Sequence, residues 1–97
     1  EINMAVVYIL FSNELNRYYI GSCYDLRSRL KEHREKKYAA SYTTKVSDWE
    51  VFFLLENLSY SQARNIENHI KKMKSRGYIV NLSRYPEMKL KLIRKYS

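Results

Sequence analysis

Two short apolar runs rich in β-branched and aromatic residues, Ala5 to Phe11 and Tyr18 to Ile20, are separated by the polar stretch Ser12 to Arg17. Two strands joined as a hairpin is the economical reading. A helix follows at once. Asp25 is placed to cap it, the apolar Leu26 and Leu30 are four apart, and Arg29 and His33 form a second pair at the same spacing, so both share one face. With 97 residues, 45% of them apolar, and only two glycines and one proline, the chain has enough material for one modest core and not for two. Residues 1–97 are expected to form a single domain, and any functional site must be built on that one small fold.

The next segment, Lys36 to Asp48, is polar, basic and rich in Ser and Thr, with no helical or strand period, and reads as a surface loop. Trp49 to Leu55 reads as a third strand. Its run Val51-Phe52-Phe53-Leu54-Leu55 lacks alternation, which suggests burial on both faces and a central position in the sheet. Ser59 and Gln62 have the spacing of a capping box, and Tyr60, Ala63, Ile66, Ile70 and Met73 mark the stripe of a helix ending before Gly77. Pro86 suits the first turn of a last helix that carries Met88, Leu90, Leu92 and Ile93. These patterns predict an α+β fold of order β-β-α-β-α-α, a small three-stranded sheet, expected antiparallel, with helices on its faces. They leave the strand order open.

The formal charge is +8 and the sequence pI about 9.6. The excess is confined to the last third, where Arg64, Lys71, Lys72, Lys74, Arg76, Arg84, Lys89, Lys91, Arg94 and Lys95 face only Glu67 and Glu87. An anionic partner is implied, nucleic acid before membrane. The lone Cys23 cannot form an internal disulfide, nor a zinc cluster with only His33 and His69 beside it, which fits a reducing, cytoplasmic setting. No apolar run approaches the roughly 20 residues of a membrane span, and no secretory leader is apparent. Met4 reads as the native start, with Glu1-Ile2-Asn3 an addition.

Tyr8 and Tyr19 lie on the two hairpin strands, and Gly21 ends the second, where a missing Cβ allows a backbone or a phosphate to come close. Alone this is weak, because tyrosine is ten of 97 residues and a strand tyrosine packed on the core reads equally well. The continuation Gly21-Ser22-Cys23-Tyr24-Asp25-Leu26-Arg27-Ser28-Arg29-Leu30-Lys31-Glu32-His33 adds more. With Tyr19-Ile20-Gly21 it resembles the second motif and following helix of the GIY-YIG nuclease family, over nearly the whole domain. The likeness is to small single-domain members, similar to the nuclease domains of UvrC-type excision proteins and homing endonucleases. The first motif departs, being Val6-Val7-Tyr8, so that only Tyr8 of it can act chemically.

The resemblance assigns roles that the residues alone leave open. Arg29, eight beyond Gly21, corresponds to the family's arginine on the scissile phosphate; otherwise it reads as a solvated residue paired with Glu32 or Asp25. His33 corresponds to a histidine that assists proton transfer or holds a phosphate. Glu67, in Glu67-Asn68-His69-Ile70-Lys71-Lys72, corresponds to the metal-binding glutamate; otherwise it forms a helical i, i+4 pair with Lys71. Asn81 is a candidate for the family's late asparagine, while His69 falls outside the pattern and is expected at the surface.

The function implied is a metal-dependent endonuclease acting in DNA repair, with one Mg²⁺ or Mn²⁺ on Glu67. One carboxylate suits an ion that keeps several waters and takes a substrate oxygen. A tyrosine, Tyr8 or Tyr19, would draw the proton from water, and Gly21, Arg29, Lys71, Lys72, Lys74 and Arg76 would meet the nucleic acid. DNA is the expected partner with RNA open, without membrane or small-molecule cofactor, the protein acting as a monomer or weak dimer. The rival readings are a non-catalytic nucleic-acid-binding module of the same fold and a small protein-interaction domain.

Overall fold

The computed structural model describes residues 4–35 and 46–97. Most of the expected loop, residues 36–45, and the three residues before Met4 lie outside these. The elements run β1 (Ala5–Ser12), β2 (Arg17–Cys23), α1 (Leu26–Arg34), β3 (Glu50–Leu58), α2 (Tyr60–Met73), α3 (Arg76–Arg84) and α4 (Pro86–Lys95). The sheet is antiparallel with order β2-β1-β3.

The middle strand is therefore β1, not the third strand as its unbroken apolar run suggested. In β1 every residue but Phe11 is buried. The run in β3 has a different cause. Ile9 pairs with Phe53 but Leu10 with Val51, so Phe52 is an extra residue, and both phenylalanines join the same apolar cluster. A bulge of this kind cancels the two-residue alternation, while Leu54, on the opposite face, is only partly buried against the other core. A second irregularity, between the Ala5 and Val7 pairings, accompanies a left-handed Asn57 (φ 63°).

Each face of β1 carries its own core. Ala5, Val7 and Ile9 pack with Ala63, Ile66 and Ile70 of α2 and with Ile79, Leu82 and Leu92 of the later helices. Val6, Tyr8 and Leu10 pack on the other side with Cys23, Val46 and Trp49, and with Leu26 and Leu30 of α1. The two valines of the divergent first motif are thus core residues, one on each face.

Helix ends follow local chemistry. Asp25 accepts the Ser28 N–H at 3.2 Å and caps α1. Ser59 accepts the Gln62 N–H at 3.1 Å, but Gln62 does not complete a box; its amide donates to the Ile93 carbonyl at 3.1 Å and ties α2 to α4. α2 ends at Lys74 in the left-handed conformation (φ 47°), and Ser75 immediately caps α3 through the Tyr78 N–H. Gly77 is therefore inside a helix absent from the expected order. Pro86 stands in the first turn of α4 as anticipated. Among the described residues, no helix is long and apolar enough to cross a membrane.

Candidate active site

Side chains alternate along β2, which divides the expected site residues between the two faces of the sheet. Tyr19, Gly21 and Cys23 point toward α1, whereas Tyr18, Ile20 and Ser22 point toward α2.

On the α1 side, Tyr8, Tyr19 and His33 form one aromatic cluster. The Tyr8 and Tyr19 ring centroids are 6.4 Å apart with their planes inclined at 28°, and His33 lies 4.7 Å from Tyr19. The Tyr8 hydroxyl is 3.3 Å from His33 Nε2. Tyr8 and His33 are each 1% exposed, and Tyr19 is half-buried. Gly21 pairs with Tyr8 across the strands, and a Cβ there would lie 2.5 Å from Tyr8 Cζ and collide with the hydroxyl. The missing side chain expected to admit a phosphate or backbone is used by the tyrosine ring. Gly21→Ala is accordingly expected to cost about 1–3 kcal/mol in chemical denaturation, the range for overpacking a tight site. The cost is expected to vanish in a Tyr8→Leu background, since the two positions share one contact.

Arg29 sits one turn before His33 on α1 and is half-buried. Its charge reaches both His33 and Cys23. Burial, seconded by Arg29, holds His33 below the ordinary histidine value of 6.5, against a smaller opposite pull from Glu32. At Cys23 burial raises the thiol and Arg29 partly offsets it. Asp25, one of the partners considered for Arg29, instead receives both the N–H and the hydroxyl of Ser28.

On the α2 side, Glu67 is buried to 8% exposure and both its oxygens are engaged. The Ser22 hydroxyl donates to Oε1 at 2.5 Å and the Lys71 ammonium to Oε2 at 2.6 Å. Ser22 adjoins Gly21, so the carboxylate meets the same end of β2 that carries the tyrosine cluster on its opposite face. β2 is an edge strand, so among the described residues the outer side of that end has no neighbouring strand. Sequence reasoning missed Ser22, although its position beside Gly21, facing the other way, was readable from strand alternation.

The remaining candidates disperse. Lys71, Lys72 and Lys74 are exposed at the end of α2 and beyond. Arg76 is committed to the β1–β2 turn, donating to the Asn16 carbonyl at 2.7 Å and to its side-chain Oδ1 at 3.0 Å, with the guanidinium 5.1 Å over the Tyr18 ring. With Arg17 and Lys74 it lines a hollow of about 540 Å³. That hollow lies at the far end of β2 from Ser22, about 17 Å away by the strand rise. His69, expected at the surface, is half-buried and bonds Tyr96 at 2.7 Å, joining α2 to α4. Asn81 lies in α3, where its carbonyl accepts the Tyr85 N–H at 2.8 Å.

Among the described residues no group of three or more His, Cys, Asp or Glu gathers as a metal cage. A lone carboxylate fits a hard divalent ion that keeps its waters. The Lys71 ammonium, on a half-exposed side chain, already places a cation 2.6 Å from this oxygen.

The GIY-YIG catalytic domain family matches the chain over residues 4–79. No curated protein and no solved structure matches it.

Proposed function

The chain belongs to the GIY-YIG nuclease family, and from that premise we propose that it is a metal-dependent endonuclease hydrolysing DNA phosphodiester bonds at the Gly21–Cys23 end of β2. The observation that carries this reading is the two-sided use of β2. Tyr8, Tyr19, His33 and Arg29 collect on one face, and Glu67 is bonded to Ser22 on the other.

Hydrolysis needs a proton taken from water, charge neutralised on the phosphate, and help for the leaving 3′ oxygen. A tyrosine near its ordinary pKa of about 10 is a poor base at neutral pH. The bond to His33 supplies the remedy. With its proton on Nδ1, neutral His33 accepts the Tyr8 proton at Nε2 as the Tyr8 oxygen takes one from water, so no free phenolate forms. Burial and Arg29 keep His33 neutral for this step. Tyr19, half-buried against the imidazole, orients the water. Arg29 holds the phosphate with its two-pronged guanidinium. What a divalent ion on Glu67 supplies when bound is charge stabilisation at the leaving oxygen. Lys71, displaced from Glu67, joins Lys72 in tracking the backbone, an affinity that falls steeply with salt. Gly21 acts through Tyr8, by leaving room for its ring against β2.

The relay has a test in pH and sequence together. Tyr8→Phe is expected to lose about 10²- to 10⁴-fold in nicking of supercoiled DNA, the usual worth of general acid–base catalysis. A tenfold or smaller loss would sink the relay. The wild-type rate is expected to hold through neutral pH and fall only below 6.5, because His33 is depressed from that value and accepts no proton once charged. A rate already falling above 6.5 contradicts the neutral-histidine role. The alternative, a binding module of the same fold without activity, draws on the Glu67–Lys71 pair at 2.6 Å, which would then be permanent.

A further inference from the structure

Beside the Glu67 end of β2, two exposed tyrosines stack on one another. Tyr24 follows β2 and is 59% exposed, and Tyr60 opens α2 and is 49% exposed. Their rings are 5.4 Å apart at 15°, and the Arg64 guanidinium lies 5.9 Å from the centre of the Tyr60 ring. Packing does not account for the pair: neither ring belongs to either core, and each leaves about half its surface in water. Its position is more telling. Tyr60, Arg64, Glu67 and Lys71 are spaced by four, three and four residues and so form one stripe along α2. Tyr24 stands two residues beyond Ser22, the donor to Glu67. Aromatic surface, guanidinium, candidate metal carboxylate and ammonium thus follow one another along a single line.

We propose that the Tyr24–Tyr60 pair is a stacking platform for an unpaired nucleobase close to the scissile phosphate, which makes DNA with a single-stranded or branched segment the substrate class. This rests on the nuclease reading of Glu67. A nucleobase inside a duplex has both faces covered by its neighbours, so only an extruded, frayed or single-stranded base offers a face to these rings. Stacking on protein aromatics accepts any base. Arg64 adds a cation for the adjoining phosphate. The seven residues from Tyr60 to Glu67 rise about 10 Å along the helix, the reach of two or three nucleotides. The platform therefore grips the strand a short step from the cut.

The experiment is metal-free binding, by fluorescence anisotropy, of a short labelled single strand and of the corresponding blunt duplex. The full chain is compared with Tyr24→Ala, Tyr60→Ala and the conservative Tyr24→Trp. Single-strand affinity is expected to fall about five- to hundredfold in each alanine variant and to be kept by tryptophan. Duplex affinity, carried by phosphate contacts, is expected to move less than about twofold. Loss on both ligands alike, no loss on either, failure of tryptophan to substitute, or a wild type that does not bind the single strand would each overturn the platform. Because binding is read without metal or cleavage, a chain that stacks single strands but cuts nothing refutes the nuclease reading alone. Alanine variants that bind the single strand as tightly as a wild type that nicks plasmid refute the platform alone.

Discussion

Glu67→Gln is expected to reduce metal-dependent nicking by about 10²- to 10⁴-fold, the several kcal/mol that charge stabilisation at a leaving oxygen is worth. DNA affinity is expected to hold or to tighten slightly. The separation follows from the surroundings of the carboxylate. Glutamine keeps the shape of the side chain and an oxygen for Ser22, so the β2–α2 junction is conserved. It removes the one negative charge on a helix that otherwise carries Arg64, Lys71 and Lys72, and it frees the Lys71 ammonium for phosphate. Removing an anion from a phosphate-binding surface strengthens the electrostatic part of binding. Nicking rates beside filter-binding constants at one salt concentration check both halves. Cutting and binding that fall together would mean that Glu67 serves the fold and not the reaction.

Arg29→Lys is expected to lose about 10²- to 10³-fold in nicking although the charge is retained, since a flexible ammonium does not reproduce the planar double contact to a phosphate. The pH profile separates this role from a structural one. Arg29 is, after burial, the main influence holding His33 below 6.5. Lysine keeps a positive charge there, so the acid limb of the profile is expected to stay in place while the whole curve drops. Arg29→Ala removes the charge, His33 regains protons more easily, and the limb is expected to move to higher pH. A limb that stays put in the alanine variant would show that Arg29 and His33 act independently.

How much of this was legible beforehand divides along physical lines. The hairpin was readable because β1 and β2 are short apolar runs with a polar turn between, and α1, α2 and α4 because a capping residue or an N-terminal proline coincides with a stripe. β3 was misplaced because a bulge at Phe52 imitates the unbroken pattern of a central strand. α3 was hidden because its start depends on Lys74 adopting a left-handed conformation that local sequence does not announce, and on a glycine that reads as a stop. At the site, Arg29 and His33 shared a face by simple spacing. Glu67 was distinguishable from an ordinary helical ion pair only through the family resemblance; the structure shows that ion pair, with Lys71 on one oxygen, and adds Ser22 on the other. The relation of Tyr8 to Gly21 is a cross-strand contact, fixed by register that local pattern does not carry.

The most direct measurement is nicking of supercoiled DNA with Mg²⁺ or Mn²⁺ by the wild-type chain, with Glu67→Gln and Arg29→Lys prepared identically and chelator as control. The expected result is cutting by the wild type that requires the metal and is lost in both variants, each still folded and still bound to DNA. Equal cutting by all three, or none by the wild type while it binds DNA, would contradict it and leave a nucleic-acid-binding domain whose Glu67 and Lys71 are simply paired.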